Sequence, residues 1–90
     1  MTVGDDEIRS AQALLARTTG IFAEPAAATA VAGLMRASNS GWIARGEHVV
    51  ALLTGHGLKD VDFALKGAKI PEAVAPNLDA VRTLLAGGRA

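Results

Sequence analysis

The first half of the chain alternates between helical and extended hydrophobic patterns. Apolar residues recur at helical spacing over residues 5–17, acidic residues fill the first turn, and Gly20 marks the end of that helix. Residues 21–24 then form a short apolar run, which predicts a strand. Pro25 cannot continue a central strand and suits the first turn of a helix, so we predict a second helix from Pro25 to about residue 37.

The second half begins with a strand pattern and continues with two helical patterns. Residues 48–53 are an almost continuous apolar run that closely spaced glycines end, which is typical of a strand buried on both faces. Residues 61–66 predict a short helix. Residues 77–85 predict an amphipathic helix that starts at an asparagine cap and ends at Gly87 and Gly88.

These elements indicate an α/β fold built from one incomplete unit. A strand, a crossover helix and a second buried strand form a right-handed β-α-β core with a parallel strand pair. With the flanking helices this is a partial three-layer α/β/α unit, and we assign residues 1–90 to it as a single unit. Because a strand buried on both faces needs further strands beside it, the architecture is incomplete relative to a whole sheet.

Composition predicts a thin hydrophobic core. Half of the 90 residues are apolar, but 19 of them are alanines, which bury little area. The aromatic residues are Phe22, Trp42 and Phe63. Burial of such a core supplies little free energy beyond what is needed to offset the conformational entropy that the chain loses on folding. We therefore expect a missing partner, either another copy of this chain or the remainder of a larger protein.

Charge and cysteine content exclude several classes of function. Nine basic and nine acidic residues give a net charge of zero without a basic cluster, which argues against nucleic acid or an anionic membrane as partner. The chain has no cysteine, so it forms neither a disulfide framework nor a thiolate zinc site. The sequence shows no apolar leader and no run long enough to span a membrane. We expect a soluble, cytoplasmic protein.

The two predicted strand ends carry the residues that suggest chemistry. In open α/β sheets the loops at the carboxyl ends of parallel strands line the ligand crevice, and here those loops contain Glu24 and Thr54-Gly55-His56. Thr54 either bonds a ligand or simply favours the end of a strand. Glu24 is either a crevice carboxylate or a charge suited to a helix start. His56 is a ligand, an acid/base group or a solvated loop residue, and since His48 offers no second ligand at helical spacing we predict no metal site.

Two runs of sequence carry a family resemblance. The first run consists of AQALLAR at residues 11–17 followed by GIFAEPAAA at residues 20–28, and we call residues 20–28 the EPA block. The second run, which we call the TGHG block, is VVALLTGHGLKD at residues 49–60. With consistent spacing from about residue 6 to residue 63, these runs resemble the C-terminal third of threonine synthases, which are fold-type-II pyridoxal-phosphate enzymes. Related serine and threonine dehydratases usually have a Ser-Gly-Gly loop at the second position, so TGHGLKD favours threonine synthase.

The resemblance implies that three residues lie beside the cofactor. Thr54 matches the hydroxyl residue that hydrogen-bonds the pyridine nitrogen of pyridoxal phosphate in this family. Glu24 matches the glutamate of the family's EPA sequence near the cofactor side of the crevice, and Gly55 follows Thr54 in the same loop. The chain departs from the family pattern at Ala27, where many members have serine, and at Val61, where proline often follows Lys-Asp.

The resemblance also indicates what the chain lacks. The family holds its cofactor as a Schiff base on a lysine in a Ser-x-Lys-type segment, and binds the phosphate in a glycine- and asparagine-rich loop. Neither motif occurs here, and the three lysines, Lys59, Lys66 and Lys69, stand in other contexts. We therefore predict no catalytic residue in this chain and no cofactor bound by the chain alone.

Two functional hypotheses follow. In the first, the chain is the C-terminal fragment of a threonine-synthase-like enzyme, and its partner is the remainder of that enzyme. The whole enzyme would convert O-phosphohomoserine and water into threonine and phosphate, with pyridoxal phosphate as its cofactor. In the second, the chain is a free-standing, non-catalytic α/β interaction or scaffold module that associates with copies of itself. Thr54 and Glu24 would then be relics of the family site.

Overall fold

The structure, a computed structural model, describes residues 1–87 and is mainly helical. It contains α1 (Asp5–Thr19), α2 (Pro25–Asn39), α3 (Val61–Gly67) and α4 (Leu78–Gly87). A 3-10 turn, Gly57–Asp60, leads directly into α3. The four helices expected from the sequence are confirmed, and their ends differ from the prediction by about two residues at most. Gly88, which we expected to end α4 together with Gly87, lies outside the described residues.

Local chemistry sets both ends of α1. The Glu7 carboxylate accepts a hydrogen bond from the Gly4 N–H at 2.8 Å, which satisfies one of the free donors at the helix start. Gly20 ends the helix with a φ of 75°, a left-handed conformation that glycine adopts without steric penalty. Its N–H donates to the Ala16 carbonyl oxygen at 3.1 Å. Gly20 thus ends α1 as the sequence predicts.

The packing of α1 against α2 forms most of the core. The buried apolar residues among those described are all alanines: Ala11, Ala23, Ala27, Ala28 and Ala32. Ile8, Leu15 and Leu53 pack against this cluster and are partly buried. Within residues 1–87 no large side chain is fully buried, so the thin core expected from composition is confirmed.

The structure corrects the prediction of two strands. Residues 21–24 and 48–53 form no regular ladder, and a single antiparallel bridge joins Ala23 to His56. The physical reason is that a strand bonds its backbone to neighbouring strands, and residues 1–87 place none beside residues 48–53. The parallel β-α-β core and its three layers are therefore not formed in this part of the chain.

Residues 48–53 were expected to be buried on both faces, yet several of their apolar side chains are exposed to solvent. Val50 is 90% exposed and Leu52 is 74% exposed, whereas Ala51 and Leu53 are half-buried. This alternation has the period of two that characterises a strand. The segment therefore keeps a strand-like pattern of exposure without the neighbours that would bury it.

Helix α4 is weakly connected to the rest of the fold. In its apolar stripe, Leu84 is half-buried and the other members, Leu78, Val81 and Leu85, are exposed; neither α1 nor α2 packs extensively against this helix. The assignment of residues 1–90 to one unit therefore stays a prediction. Of the helices within the described part of the chain, none has both the length and the apolar character needed to cross a membrane.

Candidate functional site

The EPA block and the TGHG block lie side by side. The Glu24 N–H donates to the Gly55 carbonyl oxygen at 3.0 Å, and the Gly57 N–H donates to the Phe22 carbonyl oxygen at 2.8 Å. These hydrogen bonds frame the antiparallel bridge described above. The structure therefore brings two of the three predicted site residues, Glu24 and Gly55, into direct contact, and Thr54 precedes Gly55 in the chain.

Two glycines permit this close approach because they have no side chains. A Cβ atom at Gly55 would overlap the carboxyl group of Glu24. A Cβ atom at Gly57 would lie 2.5 Å from atoms of the Phe22 ring, well inside the roughly 3.5–4.0 Å of an ordinary carbon contact. Gly57 is the stricter requirement, because a half-buried aromatic ring moves less easily than the end of a glutamate side chain.

Thr54 lines a shallow concavity of about 490 Å³ at the edge of the paired blocks. The other lining residues come from both blocks: Gly20, Ile21, Phe22, Leu53, Gly55 and His56. Thr54 is exposed, so its hydroxyl is accessible to an incoming ligand. A hydroxyl there can donate one hydrogen bond to a bound group or accept one from it.

Glu24 and His56 also have local structural roles. Glu24 is the N-cap residue of α2, half-buried at the positive end of the helix, and its carbonyl oxygen accepts from the Ala28 N–H at 2.8 Å. His56 Nδ1 accepts a hydrogen bond from the Leu58 N–H at 3.1 Å. Its ring meets Phe22 edge to face, with centroids 5.7 Å apart. His56 is therefore exposed but anchored, and any ligand contact by Glu24 or His56 stays a prediction.

Sequence reasoning missed Gln12, a buried polar residue behind the paired blocks. It is 5% exposed, and its Nε2 donates to the Ala23 carbonyl oxygen at 2.7 Å. A signal was present in the sequence. Gln12 follows Ile8 by four residues and so shares the apolar face of α1, where a buried polar side chain requires a partner.

Another concavity, of about 370 Å³, lies between α1 and the end of α2. Arg36 donates to both carboxylate oxygens of Glu7, at 3.0 and 2.8 Å, and to the Thr2 carbonyl oxygen at 2.7 Å. The Gly4 N–H is the main cause that lowers the pKa of the Glu7 carboxyl; desolvation opposes it and Arg36 adds to it. Because the Arg36 guanidinium is already engaged, we assign the candidate site to the concavity at Thr54.

Both blocks lie in the region of this chain that aligns with known proteins. The sequence profile described as "Pyridoxal-phosphate dependent enzyme" matches residues 1–55. The threonine synthase of Mycobacterium leprae (strain TN) is 49% identical over 77 residues, which cover 86% of this chain and 21% of that protein. An alignment of 77 residues within a chain of 90 necessarily includes residues 14–77, and therefore the EPA block and the TGHG block.

Two further relatives show the same relationship. The threonine synthase of Mycobacterium tuberculosis (strain ATCC 25618 / H37Rv) is 52% identical over 66 residues, covering 73% of this chain and 18% of that protein. The threonine synthase of Methanocaldococcus jannaschii is 43% identical over 83 residues, which cover 92% of this chain and 20% of that protein. The resemblance inferred from the two blocks is confirmed. The chain spans about a fifth of the length of the curated relatives that it matches.

Proposed function

Because the chain belongs to the pyridoxal-phosphate dependent enzyme family, we propose that it supplies one wall of the cofactor crevice in a threonine-synthase-like enzyme. The observation that carries this proposal is the pairing of the EPA block with the TGHG block, both within the region aligned to threonine synthases. The chain would be the C-terminal part of that enzyme. The whole enzyme would convert O-phosphohomoserine and water into threonine and phosphate.

The described residues fit one edge of pyridoxal phosphate. The exposed Thr54 hydroxyl suits a hydrogen bond to the pyridine nitrogen, and the absence of a side chain at Gly55 lets the Glu24 carboxyl group lie against the same loop. When bound, pyridoxal phosphate supplies an electron sink for charge that develops on the substrate. A neutral hydroxyl does not hold a proton on the ring nitrogen as a carboxylate would, so Thr54 would keep the strength of that sink moderate.

In the complete enzyme, residues 21–24 and 48–53 would be strands of a parallel sheet. The exposed Val50 and Leu52, which alternate with half-buried residues, support a strand at residues 48–53, because helices from the remaining four fifths of the enzyme can cover such side chains. Strands from the same part of the enzyme would pair with the backbone of residues 48–53. The fold-type-II α/β architecture of the family would thus be completed by a partner polypeptide or by the rest of a longer chain.

The chain alone would not catalyse the reaction. Lys59 lies in the 3-10 turn, Lys66 lies in α3 and Lys69 follows α3. None of these lysines lines the concavity at Thr54. The remainder of the enzyme would supply the lysine nucleophile and the loop that binds the cofactor phosphate.

A free-standing, non-catalytic module that associates with itself is the second candidate. The exposed Val50 and Leu52 favour it too, since a second copy of the chain can also cover them. The two candidates differ in the partner that is bound. The first requires the complementary part of an enzyme, and the second requires this chain alone.

Reconstitution distinguishes the two candidates. The chain is co-expressed with a Mycobacterium leprae threonine synthase that lacks the matching segment, and phosphate release from O-phosphohomoserine is measured with pyridoxal phosphate present. Release that needs both polypeptides supports the enzyme proposal, and the chain alone is the control that should release none. If the two polypeptides do not co-purify and the chain forms a stable oligomer by itself, the self-associating module replaces the enzyme proposal.

A further inference from the structure

The Ala23 carbonyl oxygen is a buried acceptor that the paired blocks leave unused. The hydrogen bonds on either side join Phe22 to Gly57 and Glu24 to Gly55, so Ala23 occupies the non-hydrogen-bonded position of the bridge. At such a position the residue's own N–H and C=O point away from the opposing segment. Ala23 is 1% exposed, so its carbonyl oxygen depends on a donor from within the protein.

Gln12 supplies that donor from α1. The distance from its Nε2 to the Ala23 carbonyl oxygen is 2.7 Å, and the residue is 5% exposed. Within residues 1–87 it is the sole polar residue among the buried ones. The fully buried side chains around it are alanines, and the larger Ile8, Leu15 and Leu53 pack against them while only partly buried. Apolar packing of this kind is not directional, whereas a hydrogen bond is, so the Gln12 contact ties the EPA block to α1 in a defined register.

We infer that Gln12 is a positioning residue of the cofactor crevice. It holds Ala23 against α1, and through the paired backbone it fixes the places of Glu24 and Thr54. The inference rests on the proposed function, because the crevice is defined by it. It extends that function to a residue that lies behind the site and acts through the backbone of the EPA block.

Two substitutions separate the hydrogen bond from the packing. Gln12→Met keeps the length of the side chain and removes the donor, and Gln12→Glu places a carboxylate against the carbonyl oxygen. Thr18→Val is the matched control, since Thr18 in the same helix also donates to a carbonyl oxygen at 2.7 Å, but on the exposed surface. Amide hydrogen exchange of Glu24 and Gly57, followed by NMR in the full chain, reports the pairing without any enzymatic reaction.

Loss of the buried donor should accelerate exchange of both amides by about 5- to 150-fold, while circular dichroism shows α1 and α2 intact. Thr18→Val should leave the exchange of these amides unchanged. Unchanged exchange in both Gln12 variants would overturn the inference. Loss of helical circular dichroism in both variants would overturn it too, because Gln12 would then maintain the whole fold rather than position the crevice.

The reconstituted enzyme provides a second readout. Gln12→Met should raise the dissociation constant for pyridoxal phosphate by about 5- to 150-fold, and Thr18→Val should not. An unchanged constant in Gln12→Met would contradict a role at the crevice. If the wild-type chain gives no active assembly, the proposed function fails, whereas amide exchange still decides whether Gln12 sets the register of the blocks.

Discussion

The backbone N–H of Glu24 donates to the carbonyl oxygen of Gly55 at 3.0 Å. This hydrogen bond joins the start of α2 to the loop that follows residues 48–53, two segments far apart in the sequence. The side chain of Glu24 lies where a Cβ atom of residue 55 would be, so the contact requires glycine in this arrangement. The two parts of the candidate site are thus already assembled in a chain that forms no sheet within residues 1–87.

The close approach of Gly57 to Phe22 offers a direct test of the pairing. Gly57→Ala places a Cβ atom 2.5 Å from the Phe22 ring, and the ring or the backbone must shift. We expect the free energy of unfolding to fall by about 1–3 kcal/mol, as in other over-packed sites. Urea denaturation followed by circular dichroism measures this change.

Gly33→Ala is the matched control for that experiment. Gly33 lies inside α2, and apart from its two chain neighbours and the backbone of its own helix, a Cβ atom there would meet no atom within 4 Å. Alanine at this position should raise the free energy of unfolding by about 0.5–1 kcal/mol, because glycine is a poor helix former. Similar effects of the two substitutions would show that the EPA block and the TGHG block are not paired in solution.

The lowered pKa of Glu7 predicts a pH dependence of stability. Its carboxylate accepts from the Gly4 N–H and from Arg36, so the folded state favours the charged form. A carboxyl whose pKa is lower in the folded state stabilises the fold above its ordinary pKa of about 4.3. That contribution is lost as the pH falls through the lowered value.

Glu7→Gln should therefore weaken the dependence of the urea midpoint on pH between about pH 5 and pH 3. Glu72→Gln, at an exposed position outside the helices, is the control and should leave the pH dependence close to that of the wild type. Denaturation series across this pH range measure both variants. If the urea midpoint changes with pH as steeply in Glu7→Gln as in the wild type, the Glu7 carboxylate has no stabilising role.

The exposed apolar side chains predict that the isolated chain associates with itself. Val50 is 90% exposed and Leu52 is 74% exposed, on a segment whose strand-like pattern suits pairing with another chain. Light scattering should show that the wild-type chain is a dimer or larger oligomer. Val50→Asp should shift the chain toward the monomer. Ala73→Asp, at an exposed loop position, is the control and should leave the oligomer unchanged. A wild-type monomer that unfolds cooperatively at micromolar concentration would contradict this prediction.

The helices were predictable because their signals are local. Periodic apolar residues, Pro25 at the start of α2 and Gly20 at the end of α1 act within a few residues of the places that they define. The strand at residues 48–53 was not formed because a ladder depends on partners outside the segment. The apolar residues at 48–53 are typical of a strand that other strands and helices bury, and residues 1–87 do not contain those strands and helices.

The candidate site was predictable only in part. Glu24, Thr54 and Gly55 came from strand ends and from the family resemblance, and the structure places Glu24 beside Gly55. Gln12 was missed because helical periodicity counts apolar positions, and a polar residue within α1 is usually solvated. Only the fold shows that its partner is the buried carbonyl oxygen of Ala23.

Thr54→Val in the reconstituted enzyme tests the central claim most directly. Valine keeps the shape of threonine and removes the hydroxyl, which leaves the ring nitrogen without a partner at a cost of about 1–3 kcal/mol. Turnover or affinity for pyridoxal phosphate should fall by roughly 5- to 150-fold. The stability of the isolated chain should stay unchanged, since valine suits an extended segment. Thr83→Val on the exposed side of α4 is the control. Full turnover in Thr54→Val, together with a marked loss of stability in the isolated chain, would contradict the account.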